Sequence, residues 1–535
     1  MNDASVRWWG AAAEGDARER LVPVVLAVLA TAVVVASIGP YPVGVFQDDG
    51  IYTVLAKSLA TGQGYRYLHI PDAPNATHYP PLYPLLLAGI WKLFPSFPAN
   101  VTIFKFVNAA LIGVTAVLAW RFARRGVGMG PWVAALSVAA FAAGTPMVFL
   151  GVMALSEPMF VAALFPVLML GERASRSGSL RDAALAGAGA GLLAMIRTIG
   201  AVALPAMALV LVWRRRWAAA CIVCLCGGLV MLPWQWWIAV HESGIPSILT
   251  GKYGSYGGWL IEGFQTGGGW RWIGRLMEFN LRLVVGQGWE VFAVLQAASP
   301  VQWAATAAAT AFFGAGWWLL LRRAPVAAWF VALYLLVVIA WPFAPSRFIY
   351  AIWPLIGIQV GLGIEALLRW RPTPRAFAAL RYAGVVAALG LALGYARYNY
   401  LGYAYGWWVQ DQASVAERTR YLAEWTRRNT ADDAILATED DLILYLYTGR
   451  RAVPVGTSTP HDIFQTQKPA FMSDALRTIL RTFDVDYVLV STDLGGFAAR
   501  GLVQATPPEL RFVVALKQGA VFQPTARAGA AGGSR

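Results

Sequence analysis

The stretch FQDDGIYTVLAKSLATGQGY, Phe46–Tyr65, decides how the rest of the chain is interpreted. Two neighbouring carboxylates, Asp48 and Asp49, follow the first long apolar segment, and a helix-like run then ends at two glycines. The proline-rich segment HYPPLYPLLLAGIWKLF, His78–Phe94, comes next and is predicted to return towards a membrane. Acidic groups beside a membrane belong either to an ordinary solvated loop or to a functional site, and the remaining sequence favours a site.

The composition is that of an integral membrane protein. Of the 535 residues, 58% are hydrophobic and only 13% are charged, whereas soluble proteins average about 25% charged residues. The arginines lie in short clusters between apolar runs, where they signal orientation. The net charge of +14 is therefore interpreted as topology with attraction to anionic lipid, and no nucleic-acid partner is predicted.

Eleven membrane spans are predicted, each needing about 20 predominantly apolar residues. Nine are the apolar runs 21–39, 101–121, 131–150, 155–171, 218–238, 303–321, 326–342, 348–368 and 377–396. The long block 183–213 divides into two short helices around Met195–Gly200, where Arg197 interrupts it. With this division every arginine cluster falls on one side, which the positive-inside rule makes cytoplasmic.

The predicted fold is an all-α polytopic membrane protein with a small C-terminal α/β domain. The α/β domain rests on short buried strands that alternate with helical runs, a pattern typical of such folds; the strands are 434–438, 486–491 and 512–516, and the helical runs are 413–428, 440–448 and 472–482. The segment 278–297 is predicted to be a helix at the membrane interface. The expected organisation is a cytoplasmic segment 1–20, a transmembrane module 21–396 with outer loop 40–100, an extracytoplasmic domain 397–525 and a disordered tail 526–535.

Five ionisable residues that interrupt apolar stretches converge on the predicted outer face, namely Asp48, Asp49, Glu157, Arg197 and Arg347. Ionisable residues in a membrane mark functional sites by default. A carboxylate can take the proton of an attacking hydroxyl, and arginine offers donors that fit phosphate. The alternatives are a packing ion pair for Glu157, an interfacial Arg347, and Asp49 as the cap of a helix that begins near Gly50.

No cofactor is predicted. His69 and His78 lie in the same loop as the two aspartates, which keeps a divalent-metal site open as an alternative, but no H-x-x-x-H spacing supports it. The sequence contains no Walker A or G-x-G-x-x-G phosphate loop.

Short motifs occur in a specific order along residues 20–370: DDGIY at 48–52, AKSL at 56–59 with Gly62, YPPLYP at 79–84, SEP at 156–158, and SRFIY at 346–350 followed by Trp353-Pro354. The first resembles the D-[DE]-x-x-Y element of the GT-C glycosyltransferases. The whole order resembles the bacterial group related to protein O-mannosyltransferases and to the aminoarabinose transferase of lipid A.

The resemblance implies an enzyme of the inner (plasma) membrane that moves a sugar from a polyprenyl-phosphate donor to a lipid, glycan or protein acceptor on the extracytoplasmic face, usually with inversion. It implies that Asp48 is the catalytic base, with Asp49 and Glu157 as supporting acids. The candidate substrate-binding residues are Arg347, which would contact the donor phosphate, together with Arg197, Tyr52, His78, Tyr83 and Tyr350.

One element departs from the family pattern. Relatives often place a lysine just before the Pro-Pro pair, whereas this chain has His78 and Tyr79 there. Phosphate binding by this element, and with it the lipid A aminoarabinose activity, is therefore not expected. The alternative function is a multi-span lipid or solute transporter or flippase, a class that often shows inverted repeats; no convincing internal repeat is found in the sequence.

Overall fold

A computed structural model describes residues 17–287, 300–371, 375–460, 462 and 468–525. Helices make up most of the chain before the C-terminal domain: Ala17–Ser37, Asp48–Ala60, Leu82–Leu93, Ala99–Arg121, Pro131–Ala142, Thr145–Gly151, Glu157–Ser177, Leu180–Ile196, Ala203–Trp213, Trp217–His241, Thr250–Tyr253, Tyr256–Thr266, Trp270–Gln287, Pro300–Arg323, Pro325–Ile339, Pro345–Tyr350, Trp353–Arg369, Arg375–Tyr405 and Trp407–Asn429. The interface helix predicted at 278–297 begins inside Trp270–Gln287, and its remainder lies outside the described residues, as does the predicted tail 526–535.

Within the described residues, six helices are long and apolar enough to cross a membrane: Glu19–Ser37, Ala99–Gly126, Glu157–Ser177, Trp217–His241, Trp303–Arg323 and Phe377–Asn429. A seventh span results if the helices Pro131–Ala142 and Thr145–Gly151, which meet at a 48° bend, are counted together. Pro146 lies at the start of the second of these helices, where proline is tolerated but the preceding helix cannot continue through it. The prediction of a multi-pass helical membrane protein is confirmed, and the count of eleven spans stays a prediction.

The predicted break in the block 183–213 is present. The helix Leu180–Ile196 ends at Arg197, whose backbone is extended (φ −146°, ψ 128°), and a 3-10 turn then leads into Ala203–Trp213. The first of these helices packs closely on Trp217–His241, because a Cβ placed on Gly187 would lie 2.3 Å from the carbonyl oxygen of Val223. Small residues of this kind allow membrane helices to approach at backbone distance.

The C-terminal domain contains one five-stranded sheet in the order β2-β1-β3-β5-β4, and its helices are Asp441–Thr448, Pro469–Thr482 and Asp493–Val503. The strands are β1 (Ile435–Thr438), β2 (Arg451–Val453), β3 (Tyr487–Val490), β4 (Leu510–Ala515) and β5 (Ala520–Pro524). β1 pairs in parallel with β2 and β3, and β5 pairs antiparallel with β3 and β4. The predicted α/β domain is confirmed, although β2, β5 and the last helix were not predicted. The strand predicted at 512–516 was expected to be buried, but β4 lies at the edge of the sheet and most of its side chains are exposed.

The chain forms two compact units. The helical unit contains the described parts of Met1–Ile38, Lys105–Trp234 and Ile273–Trp407. The Asp48 unit contains Gly39–Phe104 together with the described parts of Gln235–Trp272 and Trp408–Arg535. The loop that carries the aspartate pair and the C-terminal sheet domain thus fold as one body.

Backbone hydrogen bonds join the three segments of the Asp48 unit. At the sheet edge, the amide of Ala452 in β2 donates to the carbonyl oxygen of His69 across 2.7 Å. The amide of Ser458 donates to Ile248, and the amide of Gly251 donates back to Ser458, each across 2.8 Å. The C-terminal domain is therefore joined by backbone hydrogen bonds to the segments 39–104 and 235–272.

Candidate active site

Asp48 lies at the first position of the helix Asp48–Ala60 and is half-buried. Its Oδ1 accepts a hydrogen bond of 2.7 Å from the hydroxyl group of Tyr79. Tyr79 is fixed in turn, because its carbonyl oxygen accepts a 2.8 Å hydrogen bond from the hydroxyl of Tyr65. The carboxylate of Asp48 is thus held in one orientation while part of it stays accessible.

Asp49 turns inward beneath Asp48 and is only 2% exposed. Its carboxylate accepts three backbone N–H groups, from Gly44 at 2.8 Å and from Phe46 and Gly50 at 3.0 Å each. Burial raises the pKa of this carboxyl from 3.8 to about 6, although the three backbone hydrogen bonds act in the opposite direction. Asp49 therefore fastens the turn that precedes the helix.

This geometry corrects the capping hypothesis. The helix begins at Asp48, not near Gly50, and two of the N–H groups bound by Asp49 belong to the preceding turn. Gln47, directly before Asp48, has a φ of 63°. A non-glycine residue in such a conformation costs of order 1–3 kcal/mol and persists only where its surroundings fix it. The carboxylate of Asp49 supplies that constraint.

Aromatic rings surround the Asp48–Tyr79 hydrogen bond. The ring of Tyr52, one helical turn after Asp48, meets the rings of Tyr79 and Tyr83 edge-on, at centroid distances of 5.1 and 5.0 Å. The ring of His78 lies 3.8 Å from that of Tyr256, and its Nδ1 lies 2.5 Å from the carbonyl oxygen of Gly254. Among the predicted site residues, Asp48, Asp49, Tyr52, His78 and Tyr83 therefore belong to one unit.

A helix of the C-terminal domain, Asp441–Thr448, packs against the turn that precedes Asp48. A Cβ placed on Gly44, in this turn, would lie 2.7 Å from Cγ1 of Ile443, so only glycine fits between the turn and this helix. The amide of Val43 donates a 3.1 Å hydrogen bond to the hydroxyl of Tyr447. Contacts with the C-terminal domain thus stabilise the turn.

A buried polar cluster joins the first turn of that helix to the loop 235–272. Nζ of Lys252 lies 3.0 and 3.2 Å from the two carboxylate oxygens of Asp441, and the hydroxyl of Tyr253 donates to the same carboxylate across 2.6 Å. The side chains of Lys252 and Asp441 are 13% and 2% exposed. Sequence reasoning missed these three residues because nothing in their local pattern distinguishes them. Tyr79 lies in the YPPLYP motif at 79–84 but was not predicted to be a site residue.

The helical unit contains a second group of predicted residues. Oε1 of Glu157, which is fully buried, lies 2.8 Å from Nη1 of Arg197 and 2.5 Å from Nε of Arg347. Arg197 also donates to the hydroxyl of Ser156 across 2.9 Å. One buried carboxylate is thus shared by two guanidinium groups.

The surroundings of this cluster keep its arginines in place. The guanidinium group of Arg197 stacks over the ring of Phe348 at 5.6 Å from the centroid. The carbonyl oxygen of Phe348 accepts a 2.8 Å hydrogen bond from the hydroxyl of Tyr334. Tyr350 contacts other partners in the same unit: its ring meets Trp353 edge-on at 5.9 Å, and its hydroxyl hydrogen bonds with Tyr398.

An apolar cavity of about 1040 Å³ also lies in the helical unit. Its walls are almost entirely aliphatic and aromatic, and include Leu136, Phe141, Phe313, Ile356 and Leu391. Cavities of a few hundred to about 1,000 Å³ are typical of ligand sites. A cavity this large and this apolar suits a hydrocarbon chain.

The described residues contain no group of three or more His, Cys, Asp or Glu side chains that could hold a metal ion. His69 is fully buried, and burial lowers its pKa to about 4, so it is neutral at pH 7. Its ring lies 5.1 Å from that of Tyr253 and 5.9 Å from that of Tyr67.

Family models and curated protein sequences give no match to the chain. Among solved structures, similar chains are found. The chain is similar to ArnT from Cupriavidus metallidurans bound to undecaprenyl phosphate, with a TM-score of 0.53 and 16% identity over 95% of this chain and 98% of that one. It is also similar to the apo state of the same ArnT, with a TM-score of 0.52 and 14% identity over 94% of this chain and 98% of that one. The chain therefore has the fold of these ArnT structures, and its resemblance to the aminoarabinose transferase-like GT-C glycosyltransferases is confirmed at the level of the fold.

Proposed function

We propose that the protein is a membrane glycosyltransferase that moves a sugar from a polyprenyl-phosphate donor to an acceptor hydroxyl on the extracytoplasmic face, with inversion at the sugar. In this reaction Asp48 takes the proton of the acceptor hydroxyl while its oxygen attacks C1 of the sugar. The bond between C1 and the phosphate oxygen breaks, and its electron pair leaves with the polyprenyl phosphate.

The observation that carries the proposal is the fixed, half-buried carboxylate of Asp48. A general base has to be positioned within hydrogen-bond reach of the proton that it removes, and such catalysis contributes about 10²- to 10⁴-fold. The hydrogen bond from Tyr79 orients Asp48, and the buried Asp49 fixes the backbone on which it stands. The two neighbouring carboxylates thus take different roles, since one is accessible and the other is part of the turn.

The cluster of Glu157, Arg197 and Arg347 supports a role in holding the donor phosphate. Two guanidinium groups meet at one carboxylate, and arginine offers paired donors that fit phosphate oxygens. Arg347 is the more exposed of the two arginines, at 15% against 9%, and is assigned to the phosphate. Arg197, which also binds Ser156, is assigned to holding Glu157 in place.

The lipid part of the donor fits the apolar cavity of the helical unit. One of the similar ArnT structures is described as bound to undecaprenyl phosphate. An isoprenoid chain within the bilayer leaves only its phosphate and sugar to be bound by polar groups, and the cavity walls offer the matching apolar surface.

Membrane topology belongs to the same proposal. The arginine clusters favour eleven spans, a cytoplasmic N-terminus and an extracytoplasmic C-terminal domain, in the inner (plasma) membrane. The domain limits remain 21–396 for the transmembrane module and 397–525 for the outer domain. The acceptor class stays open among lipid, glycan and protein.

The test uses the purified full-length protein in lipid, supplied with a panel of polyprenyl-phosphate sugars, and measures release of polyprenyl phosphate. We expect turnover of at least one donor and a decrease of roughly 10²- to 10⁴-fold in kcat for Asp48→Asn. The matched control is Asp72→Asn, an exposed aspartate of the same loop, which should leave kcat unchanged.

Two results would contradict the proposal. The first is no turnover of any donor by the wild-type protein. The second is an Asp48→Asn variant that is folded, by its melting temperature, and as active as wild type. Movement of intact lipid-linked sugar across the bilayer without release of polyprenyl phosphate would instead support the hypothesis of a transporter or flippase.

A further inference from the structure

His78 is anchored on one side of its ring. Its Nδ1 lies 2.5 Å from the carbonyl oxygen of Gly254. A carbonyl oxygen only accepts hydrogen bonds, so Nδ1 carries the proton, and in a neutral imidazole the second nitrogen, Nε2, is then an acceptor. The contact with Gly254 therefore fixes both the tautomer and the direction of the ring.

The ring is neutral at pH 7. His78 is 4% exposed, and burial lowers its pKa to about 4, although the hydrogen bond to Gly254 and the nearby charge of Asp48 act to raise it. The centroid of its ring lies 4.6 Å from the ring of Tyr79, whose hydroxyl binds Asp48. The ring of Tyr256 also packs against it, at a centroid distance of 3.8 Å. His78 is thus an uncharged group close to the proposed base, Asp48.

Among the described residues, the side chain of His78 is hydrogen-bonded through Nδ1 to Gly254. None of the described residues donates a hydrogen bond to Nε2. Nε2 is not among the fully buried unpaired atoms of the described residues, so a molecule that enters the site can reach it and donate a hydrogen bond to it. A neutral acceptor selects an O–H or N–H group.

We propose that Nε2 of His78 accepts a hydrogen bond from a hydroxyl group of the substrate, and that this contact makes His78 a specificity-determining residue of the site. The inference rests on the proposed glycosyl transfer. It names the recognised group as a hydroxyl, which either the donor sugar or the acceptor can supply.

Two variants separate recognition from anchoring. In His78→Asn the side-chain NH₂ can still donate to Gly254, but the acceptor at the Nε2 position is lost. In His78→Gln the side-chain oxygen reaches the Nε2 position, but the contact with Gly254 is weakened. We expect kcat/KM to decrease roughly 10- to 100-fold for His78→Asn, and His78→Gln to recover part of that loss. The melting temperature of His78→Asn should stay close to that of wild type.

The decisive readout is discrimination against substrates that lack one hydroxyl, measured as release of polyprenyl phosphate. One arm uses singly deoxygenated sugars on the donor with water as acceptor. The other uses the intact donor with an alkyl glycoside and its singly deoxygenated forms. Wild type should lose about 10- to 100-fold in kcat/KM on one deoxy compound, and His78→Asn should lose nothing further on the same compound. The arm in which this occurs identifies the donor or the acceptor as the source of the hydroxyl.

The inference is overturned if His78→Asn keeps the wild-type discrimination in both arms, because His78 then only supports the loop. It is overturned as well if His78→Asn has wild-type kcat/KM on the intact substrates. A wild-type protein that turns over no donor refutes the proposed function itself, and the inference with it, so the two failures can be told apart.

Discussion

The hydroxyl of Tyr79 lies 2.7 Å from Oδ1 of Asp48 and donates a hydrogen bond to it. Hydrogen bonds to a charged acceptor are about twice as strong as neutral ones. Tyr79 directly precedes the Pro-Pro pair. Its side chain supports the proposed base and carries no positive charge that could bind phosphate.

Tyr79→Phe should lower kcat about tenfold and change KM for the donor little, because the carboxylate loses its orienting donor while the ring stays in place. Steady-state kinetics with a polyprenyl-phosphate sugar measure both constants. Tyr400→Phe, at a tyrosine that is 71% exposed, is the matched control and should behave as wild type. An unchanged kcat for Tyr79→Phe would show that Asp48 does not depend on this hydrogen bond.

Asp49 predicts an unusual dependence of stability on pH. Burial raises its pKa in the folded protein to about 6, above the ordinary value of 3.8 for an aspartate. The folded state therefore binds the proton more tightly than the unfolded state, and the contribution of Asp49 to stability is fully present below pH 3.8 and is lost as the pH rises through 6. This direction is opposite to that of a carboxylate in an ordinary salt bridge.

Asp49→Asn removes this titration, so the wild-type melting temperature should fall relative to that of the variant between pH 4.5 and pH 7, by on the order of a few degrees. Thermal unfolding in lipid at a series of pH values measures the difference. Asp72→Asn is the control for a change at an exposed aspartate. A difference between wild type and Asp49→Asn that stays constant with pH would contradict the prediction.

Replacement by lysine should have different effects at the two arginines that bind Glu157. Arg347→Lys should raise KM for the donor roughly tenfold, because lysine cannot offer the paired donors that fit phosphate. Arg197→Lys should mainly lower the melting temperature, since Arg197 binds both Ser156 and Glu157 and is less exposed. Arg282→Lys, at a side chain that is 79% exposed, is the neutral control. Equal effects of the first two variants on KM would remove the assigned division of roles.

The ion pair between Lys252 and Asp441 should be important for the stability of the Asp48 unit. Breaking a buried ion pair by removing one partner costs about 3–5 kcal/mol, so Asp441→Asn or Lys252→Met should lower the melting temperature and expose the C-terminal domain to protease. Glu424→Gln is the matched control, because its ion pair with Arg428 is exposed and such pairs contribute about 0–1 kcal/mol. If protease sensitivity is the same in all three variants, the cluster does not hold the domain.

Apolar run length and arginine placement predicted much of the helical fold. The interruption by Arg197 was located correctly because an ionisable residue in the middle of a long apolar block is a strong local signal. In the C-terminal domain, β1, β3 and β4 were predicted because each contains a short run of mostly apolar residues. The fold class rested on these local signals.

The missed elements lacked such signals. β2 has only three residues, and β5 contains a proline. The helix Asp493–Val503 contains three glycines, which have low helix propensity, and it forms where it packs against Pro469–Thr482. In the site, spacing singled out Asp48 and Asp49, but the inward orientation of Asp49 depends on the amides of Gly44 and Phe46, which no sequence pattern reveals. The roles proposed for both carboxylates stay predictions.

The hydrogen bond between Val43 and Tyr447 joins residues 404 positions apart in the chain. Ribosomes make the Asp48 helix early and its supporting helix Asp441–Thr448 near the end of synthesis. The turn before Asp48 can therefore reach its final state only after the last domain has been made and folded. A prematurely terminated chain would insert its apolar helices but lack this support, so a partly synthesised copy would not present the complete proposed site.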